Sequence, residues 1–186
     1  MPSVVFNLTT ALLVFTALAV HIRKNPLSRL LRYFTVLSNV FCALVSLALA
    51  IARLRGAVPV PLLLLKYVAT HAVTVTLLTV LVFLGPQFGY KPLFSGPDFF
   101  LHLLCPLLAL VSFLAWDRPP MTPLLSLIGV IPVLLYGFLY LRKVVYAKAW
   151  EDFYGFNRGG RWPAAMAGML AGTFLMCLGI MALQNL

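Results

Sequence analysis

Residues 33–51 read YFTVLSNVFCALVSLALAI, and this stretch carries no charged side chain. About 20 apolar residues are enough to span the hydrocarbon core of a bilayer as a helix. Further apolar stretches lie at 4–22, 62–84, 99–116, 122–141 and 164–183. Pro and Gly residues punctuate the gaps between the stretches, as is typical of connections between helices. The sequence therefore predicts six transmembrane helices.

The composition indicates the same class of protein. The 186 residues are 62% hydrophobic and 10% charged, and the mean hydropathy is +1.01. Soluble domains are about half apolar and a quarter charged, so these values exclude a soluble globule, a disordered chain and a disulfide scaffold. Because no gap is long enough for a separate soluble domain, we predict one all-α integral membrane domain over residues 1–186.

The charges are strongly asymmetric, with 14 Lys and Arg against 4 Asp and Glu, a net charge of +10. They cluster in short segments between apolar stretches, which predicts topology signals and lipid-headgroup contacts and no nucleic-acid partner. Ten basic residues lie in the first, third and fifth loops, and we assign Arg53, Arg55, Lys66 and Arg118 to the opposite side. The positive-inside rule then places loops one, three and five in the cytoplasm and both termini outside, across the plasma membrane if the protein is bacterial.

The cysteines point to no metal or redox chemistry. Cys42, Cys105 and Cys177 all lie within apolar stretches, and no CxxC pair occurs. We expect free, buried thiols that act as small hydrophobic side chains. We therefore predict neither a metal nor a cofactor.

Two patterns near the end of the chain concern packing. Aromatic residues at 146, 150, 153 and 154 recur at helical spacing, which predicts a short interfacial helix before the last span, as a depth-setting aromatic belt or as a lid over a site. Ala164, Gly168 and Gly172 recur every four residues, a spacing that lets helices approach closely. We interpret this face as packing inside the bundle, with self-association of two chains as the alternative.

Polar residues on the second span form one helical face. Thr35, Asn39, Cys42 and Ser46 fall at the spacing of successive turns, with Ser38 beside them. Such a face serves either interhelical hydrogen bonds or a functional site, because strongly polar groups are costly inside a membrane.

His102 lies near the start of the fourth span, at a depth similar to that of Thr35. Pro106, four residues later, has no N–H, so we expect the His102 carbonyl to find a partner outside its own helix. Asp98 lies one turn before His102 and can meet it on the same helical face. A Thr hydroxyl becomes a nucleophile when a base such as His takes its proton. Asn39 can then stabilise an oxyanion or orient the His, with Ser38 beside it.

Further residues are candidates for the wall of a pocket at the same site. They lie on the second, fourth and fifth spans: Cys42, Ser46, Cys105, Tyr136 and Tyr140. Polar and small side chains of this kind also occur in helix–helix packing, so both interpretations stay open.

Three stretches carry a family resemblance: RYFTVLSN at 32–39, LHLLCP at 101–106 and WEDFYGF at 150–156. They resemble the six-helix family of androgen-induced and androgen-dependent membrane proteins of animals and their small bacterial relatives. The resemblance implies an intramembrane hydrolase that cleaves fatty acid esters of hydroxy fatty acids with a Thr nucleophile and a His partner. By position these are Thr35, in the aromatic-aliphatic-Thr stretch, and His102, which precedes a Pro in the fourth helix.

We therefore expect a hydrolase of a membrane lipid or fatty acyl ester, with Thr35 and His102 as catalytic residues. The alternative is a small transporter or lipid-binding membrane protein whose polar faces line a cavity without catalysis. A third possibility is a structural partner that acts through the Ala164–Gly172 face.

Overall fold

The computed structural model describes residues 1–185 and contains six helices that are long and apolar enough to cross a membrane. No strand occurs in these residues, so the predicted all-α, six-helix architecture is confirmed, and the chain is a multi-pass membrane protein. Each helix begins and ends within a few residues of the predicted span. The helices are α1 (Pro2–Ile22), α2 (Phe34–Leu54), α3 (Val60–Phe88), α4 (Pro97–Trp116), α5 (Pro123–Tyr146) and α6 (Trp162–Gln184).

Proline starts most of these helices. All except α2 have a Pro in the first two positions, where the N–H has no intrahelical partner and the fixed φ of Pro suits a helix. Thr122 also caps α5, because its Oγ1 accepts a hydrogen bond from the Leu125 N–H at 3.2 Å. Four of the prolines that mark the gaps in the sequence therefore belong to helix starts: Pro61, Pro97, Pro123 and Pro163.

Residues Met1–Pro120 form one compact unit that contains the first four helices. Helices α1 and α3 each pack against both α2 and α4. Alanines such as Ala43, Ala72 and Ala109 are fully buried between the helices, which lets the backbones approach closely. Both polar clusters described below lie in this unit.

The described residues from Met121 onward form the second compact unit, in which α5 packs against α6. The predicted interfacial helix is wrong, because residues 147–157 form turns and no helix. Positive φ angles at Lys148 (49°) and Gly155 (72°) interrupt helical geometry. Asp152 organises this loop by accepting hydrogen bonds from the Phe156 N–H at 2.9 Å and the Tyr140 hydroxyl at 2.6 Å.

The small residues of α6 are not covered by other residues of the described chain. Ala164, Gly168 and Gly172 are exposed, and nothing lies within 4 Å of the point where a Cβ would stand on either glycine. These residues therefore support no close helix approach within the described chain. Self-association through this face stays a prediction, as does the organisation of both units as one domain.

Candidate functional site

Thr35 lies in the first turn of α2, with an extended residue, Tyr33, directly before the helix. The Thr35 side chain is half-buried, and its hydroxyl makes no hydrogen bond within residues 1–185. Backbone N–H groups in a first helical turn have no intrahelical partner and carry a partial positive charge. The hydroxyl therefore lies in a setting that favours negative charge on a neighbouring oxygen.

His102 is held in one tautomer by a backbone carbonyl. Its Nδ1 lies 2.7 Å from the carbonyl oxygen of Leu93. Because a carbonyl only accepts, Nδ1 carries the proton and Nε2 of the neutral ring is left as an acceptor. The Nε2 atom makes no hydrogen bond in the described part of the chain, and the side chain is 8% exposed. This arrangement leaves a base with an available lone pair.

The start of α4 contains a π-helical segment, Phe100–Leu104, which explains how the helix accommodates Pro106. The Cys105 N–H donates to the carbonyl of Phe100, five residues back, instead of that of Leu101. Pro106 has no N–H to replace that donor. The Leu101 carbonyl, one residue before that of His102, thus has no intrahelical donor and needs a partner from another helix. A partner for the His102 carbonyl itself stays a prediction.

Asn39 supplies the partner of the Leu101 carbonyl and connects α2 to α4. Its Nδ2 donates to Leu101 O at 3.0 Å and to Thr35 O at 2.8 Å. Both Nδ2 protons are used, so Asn39 has none left to stabilise an oxyanion. Of its two predicted roles, the geometry supports the other one, which is to orient the segment that carries the His. Ser38 Oγ lies 3.2 Å from Thr35 O and 3.0 Å from Thr76 Oγ1.

One carboxamide therefore contacts the segments that carry the proposed nucleophile and base. No hydrogen bond joins Thr35 to His102 in residues 1–185, and direct contact between the two side chains stays a prediction. Asp98 pairs with His21, with 3.1 Å between Asp98 Oδ1 and His21 Nε2. The expected meeting of Asp98 with His102 does not occur, because the α1 end offers a closer imidazole.

The remaining predicted pocket residues separate into three places. Cys105 packs in the apolar core of the first unit with Ala43 and Leu101. Cys42 and Ser46 lie further along α2, where Ser46 joins a second polar cluster. Tyr136 and Tyr140 belong to the second unit, where their rings pack together with Tyr154. A pocket-lining role for these residues stays a prediction.

An apolar cavity of about 270 Å³ lies between α1 and the start of α4. This volume is just below the range of about 300–1,000 Å³ that is usual for small-molecule sites. Phe100, two residues before His102, forms part of its wall. The other lining residues are Leu13, Thr16, Ala17, Val20, Gly96 and Pro97.

No family model, curated protein or solved structure matches this chain. The resemblance drawn from the three sequence stretches therefore stays a prediction, and the site is argued from its own geometry. Among residues 1–185, no group of three or more His, Cys, Asp or Glu side chains is placed to hold a metal ion.

A second polar cluster, which we name the buried charge network, is centred on Lys66 and Asp117. Lys66 is fully buried, and its Nζ donates to Asn7 Oδ1 at 2.7 Å and to Ser46 Oγ at 3.0 Å. The Asn7 Nδ2 donates onward to Asp117 Oδ2 at 2.8 Å. The amide of Asn7 thus links an ammonium on α3 to the carboxylate that follows α4.

Each oxygen of the Asp117 carboxylate accepts two hydrogen bonds. Besides Asn7, its carboxylate accepts from Ser3 at 2.7 Å, Ser112 at 2.6 Å and Arg53 at 3.0 Å. Burial alone raises the pKa of Asp117, but the hydrogen bonds from Ser112, Asn7 and Ser3 and the charge of Lys66 bring this pKa below its usual value. The buried charge network therefore holds a carboxylate between the ends of four helices.

Sequence reasoning missed this network, although its signals were present. Lys66 lies inside an apolar stretch, and an ionisable residue in a span is a functional or structural candidate by default. Asn7 lies inside the first stretch, and Asp117 directly follows the fourth. Because successive helices alternate in direction, these positions meet at one end of the bundle. Lys66 was counted only as a topology signal on the outer side, and this relation was therefore not recognised.

Proposed function

We propose that the protein is an intramembrane hydrolase of a lipid ester, with Thr35 as nucleophile and His102 as general base. The observation that carries this proposal is the hydrogen bond between His102 Nδ1 and Leu93 O. It fixes the tautomer in which Nε2 accepts a proton, the property that a general base needs.

The chemistry proceeds in two steps. Thr35 Oγ1 attacks the acyl carbon while its proton passes to His102 Nε2, and the alcohol leaves with that proton. Water then attacks the acyl-enzyme with His102 again as base, and the fatty acid is released. The Thr35 N–H, in the first turn of α2, is the available donor for the oxyanion, since both Nδ2 protons of Asn39 are engaged.

The apolar cavity supports a lipid substrate. Its wall joins α1 to the segment that precedes His102, and six of its seven lining residues are apolar or glycine. An acyl chain placed there contacts apolar side chains of α1 and of the segment before His102. The substrate class that fits is a fatty acyl ester that enters from the bilayer.

Covalent labelling with a lipophilic fluorophosphonate tests the proposal on detergent-purified protein. We expect the wild type to be labelled on Thr35, as located by peptide mass spectrometry, and Thr35→Ser to keep part of the label. Thr35→Ala and His102→Ala are expected to lose it. Thr9→Ala and His21→Ala are matched controls, because Thr9 is half-buried on α1 and His21 is the imidazole bonded to Asp98.

Equal labelling of Thr35→Ala and the wild type would exclude Thr35 as the nucleophile. No labelling of a folded wild type would remove the hydrolase proposal and favour a lipid-binding or transport role. Size-exclusion chromatography of each variant separates loss of chemistry from loss of fold.

A further inference from the structure

Asn39 holds an unused hydrogen-bond acceptor beside the proposed nucleophile. The side chain is 1% exposed, and its Oδ1 has no hydrogen-bond partner within residues 1–185. The two partners of Nδ2 are the carbonyls of Thr35 and Leu101, which only accept. Exchange of Oδ1 and Nδ2 would therefore lose both bonds, so the carboxamide orientation is fixed and the unused atom is the oxygen.

A buried acceptor of this kind is normally satisfied by a water molecule or a ligand. The Nδ2 of the Asn39 carboxamide is bonded to the backbone of Thr35 and to that of Leu101, the neighbour of His102. A donor that reaches Oδ1 therefore binds a carboxamide that is anchored to both segments, the one that carries the nucleophile and the one that carries the base. The matching chemistry is an O–H group that takes part in the reaction.

We propose that Asn39 Oδ1 binds one proton of the water molecule that hydrolyses the Thr35 acyl-enzyme, and that Asn39 thereby favours water over alcohols as the acyl acceptor. This inference rests on the proposed function. Water has two protons and needs two acceptors, whereas an alcohol has only one hydroxyl proton, which His102 takes. Asn39 is thus a positioning residue that gains a partner only when the acceptor is water.

The step balances without any further reactant. The water oxygen bonds to the acyl carbon while one of its protons passes to His102 Nε2. The bond between the acyl carbon and Thr35 Oγ1 then breaks, and Oγ1 takes the proton back from Nε2. The second water proton stays on the new carboxylic acid, in its hydrogen bond to Asn39 Oδ1.

The test is the partition of the acyl-enzyme between water and methanol. Purified protein in detergent is given a medium-chain p-nitrophenyl ester in buffer that contains methanol, and mass spectrometry measures free acid against methyl ester. We expect the wild type to prefer water over methanol per mole, and Asn39→Leu to lower the ratio of acid to methyl ester at least about tenfold. Asn39→Asp keeps an acceptor oxygen but loses both Nδ2 donors, so its ratio is expected to lie between that of the wild type and that of Asn39→Leu.

The partition ratio does not depend on the folded fraction, because both products come from the same acyl-enzyme. Thr70→Val is the matched control, since Thr70 Oγ1 is another buried oxygen without a partner, on α3. Its ratio is expected to equal that of the wild type. A wild type that prefers methanol per mole, or an unchanged ratio in Asn39→Leu, overturns this inference and leaves the hydrolase standing. Failure of the wild type to form any acyl-enzyme on Thr35 overturns both.

Discussion

Removal of the carboxylate at Asp117 is expected to destabilise the first unit by about 3 kcal/mol. The Asp117 carboxylate accepts four hydrogen bonds, two on each oxygen. The Asp117→Asn variant replaces one of these oxygens by an NH2 group and so loses two of the bonds, each of which contributes about 0.6–1 kcal/mol inside a membrane protein. It also leaves the charges of Lys66 and Arg53 without a counter-charge, and breaking a buried ion pair typically costs about 3–5 kcal/mol. The estimate from the lost hydrogen bonds and the estimate from the broken ion pair give a destabilisation of the same order of magnitude.

The three cysteines provide the assay. Within residues 1–185 the thiols of Cys42, Cys105 and Cys177 form no disulfide and are buried, so a fluorogenic maleimide reacts with them only when the helices around them open. For a chain of this size, about 3 kcal/mol corresponds to a fall of about 6–12 °C in the melting midpoint. The matched control is Asp98→Asn, because the Asp98 side chain is 37% exposed and its pair with His21 is worth at most about 1 kcal/mol.

A double variant separates charge from packing. Lys66→Met removes the buried ammonium, so the effects of Lys66→Met and Asp117→Asn together are expected to be smaller than their sum. Equal midpoints for Asp117→Asn and Asp98→Asn would refute the reasoning, because the buried charge network would then contribute no more than a surface pair.

Three further outcomes are expected. The folded state lowers the pKa of Asp117, so its stabilising effect is fully present above the ordinary value of about 4 and is lost as the pH falls below it. The wild-type melting midpoint is therefore expected to drop below about pH 4, and that of Asp117→Asn to drop less. Asp152→Ala removes the acceptor of the Tyr140 hydroxyl and of loop N–H groups, so trypsin is expected to cleave the loop several-fold faster. The control is Glu151→Ala, which changes an exposed side chain and is expected to leave the cleavage rate unchanged. If two chains associate through the α6 glycines, Gly168→Ile lowers the concentration-dependent energy transfer between fluorescently labelled chains in bilayers, and Gly179→Ile does not. Equal energy transfer for both variants would contradict association through this face.

The six spans could be predicted because span length and hydropathy are local properties of a sequence. The loop before α6 could not, since its aromatic spacing fits a helix while Lys148 and Gly155 adopt positive φ angles that only the folded loop reveals. The partner of Asp152 is Tyr140 on a preceding helix, and such a contact depends on tertiary structure.

In the candidate site, too, the positions along the helices could be predicted, whereas the tertiary contacts could not. The sequence placed Thr35, Asn39 and His102 near the starts of two helices, and the structure has them there. It gave no signal for the hydrogen bond from His102 to Leu93, because that carbonyl lies in a short helical turn before α4. It also gave no signal for the Leu101 carbonyl that Asn39 binds, because the π turn depends on how α4 accommodates Pro106 within the bundle.

The buried charge network also constrains how the chain enters the membrane. Synthesis delivers Asn7 and then Lys66 to the bilayer well before Asp117 exists. Insertion of α3 thus carries an ammonium whose transfer costs up to about 2.5–3.5 kcal/mol, depending on depth. This free-energy cost is offset only when Asp117, at the end of α4, has been synthesised. A nascent chain that stops before α4 is therefore a natural target for membrane quality control.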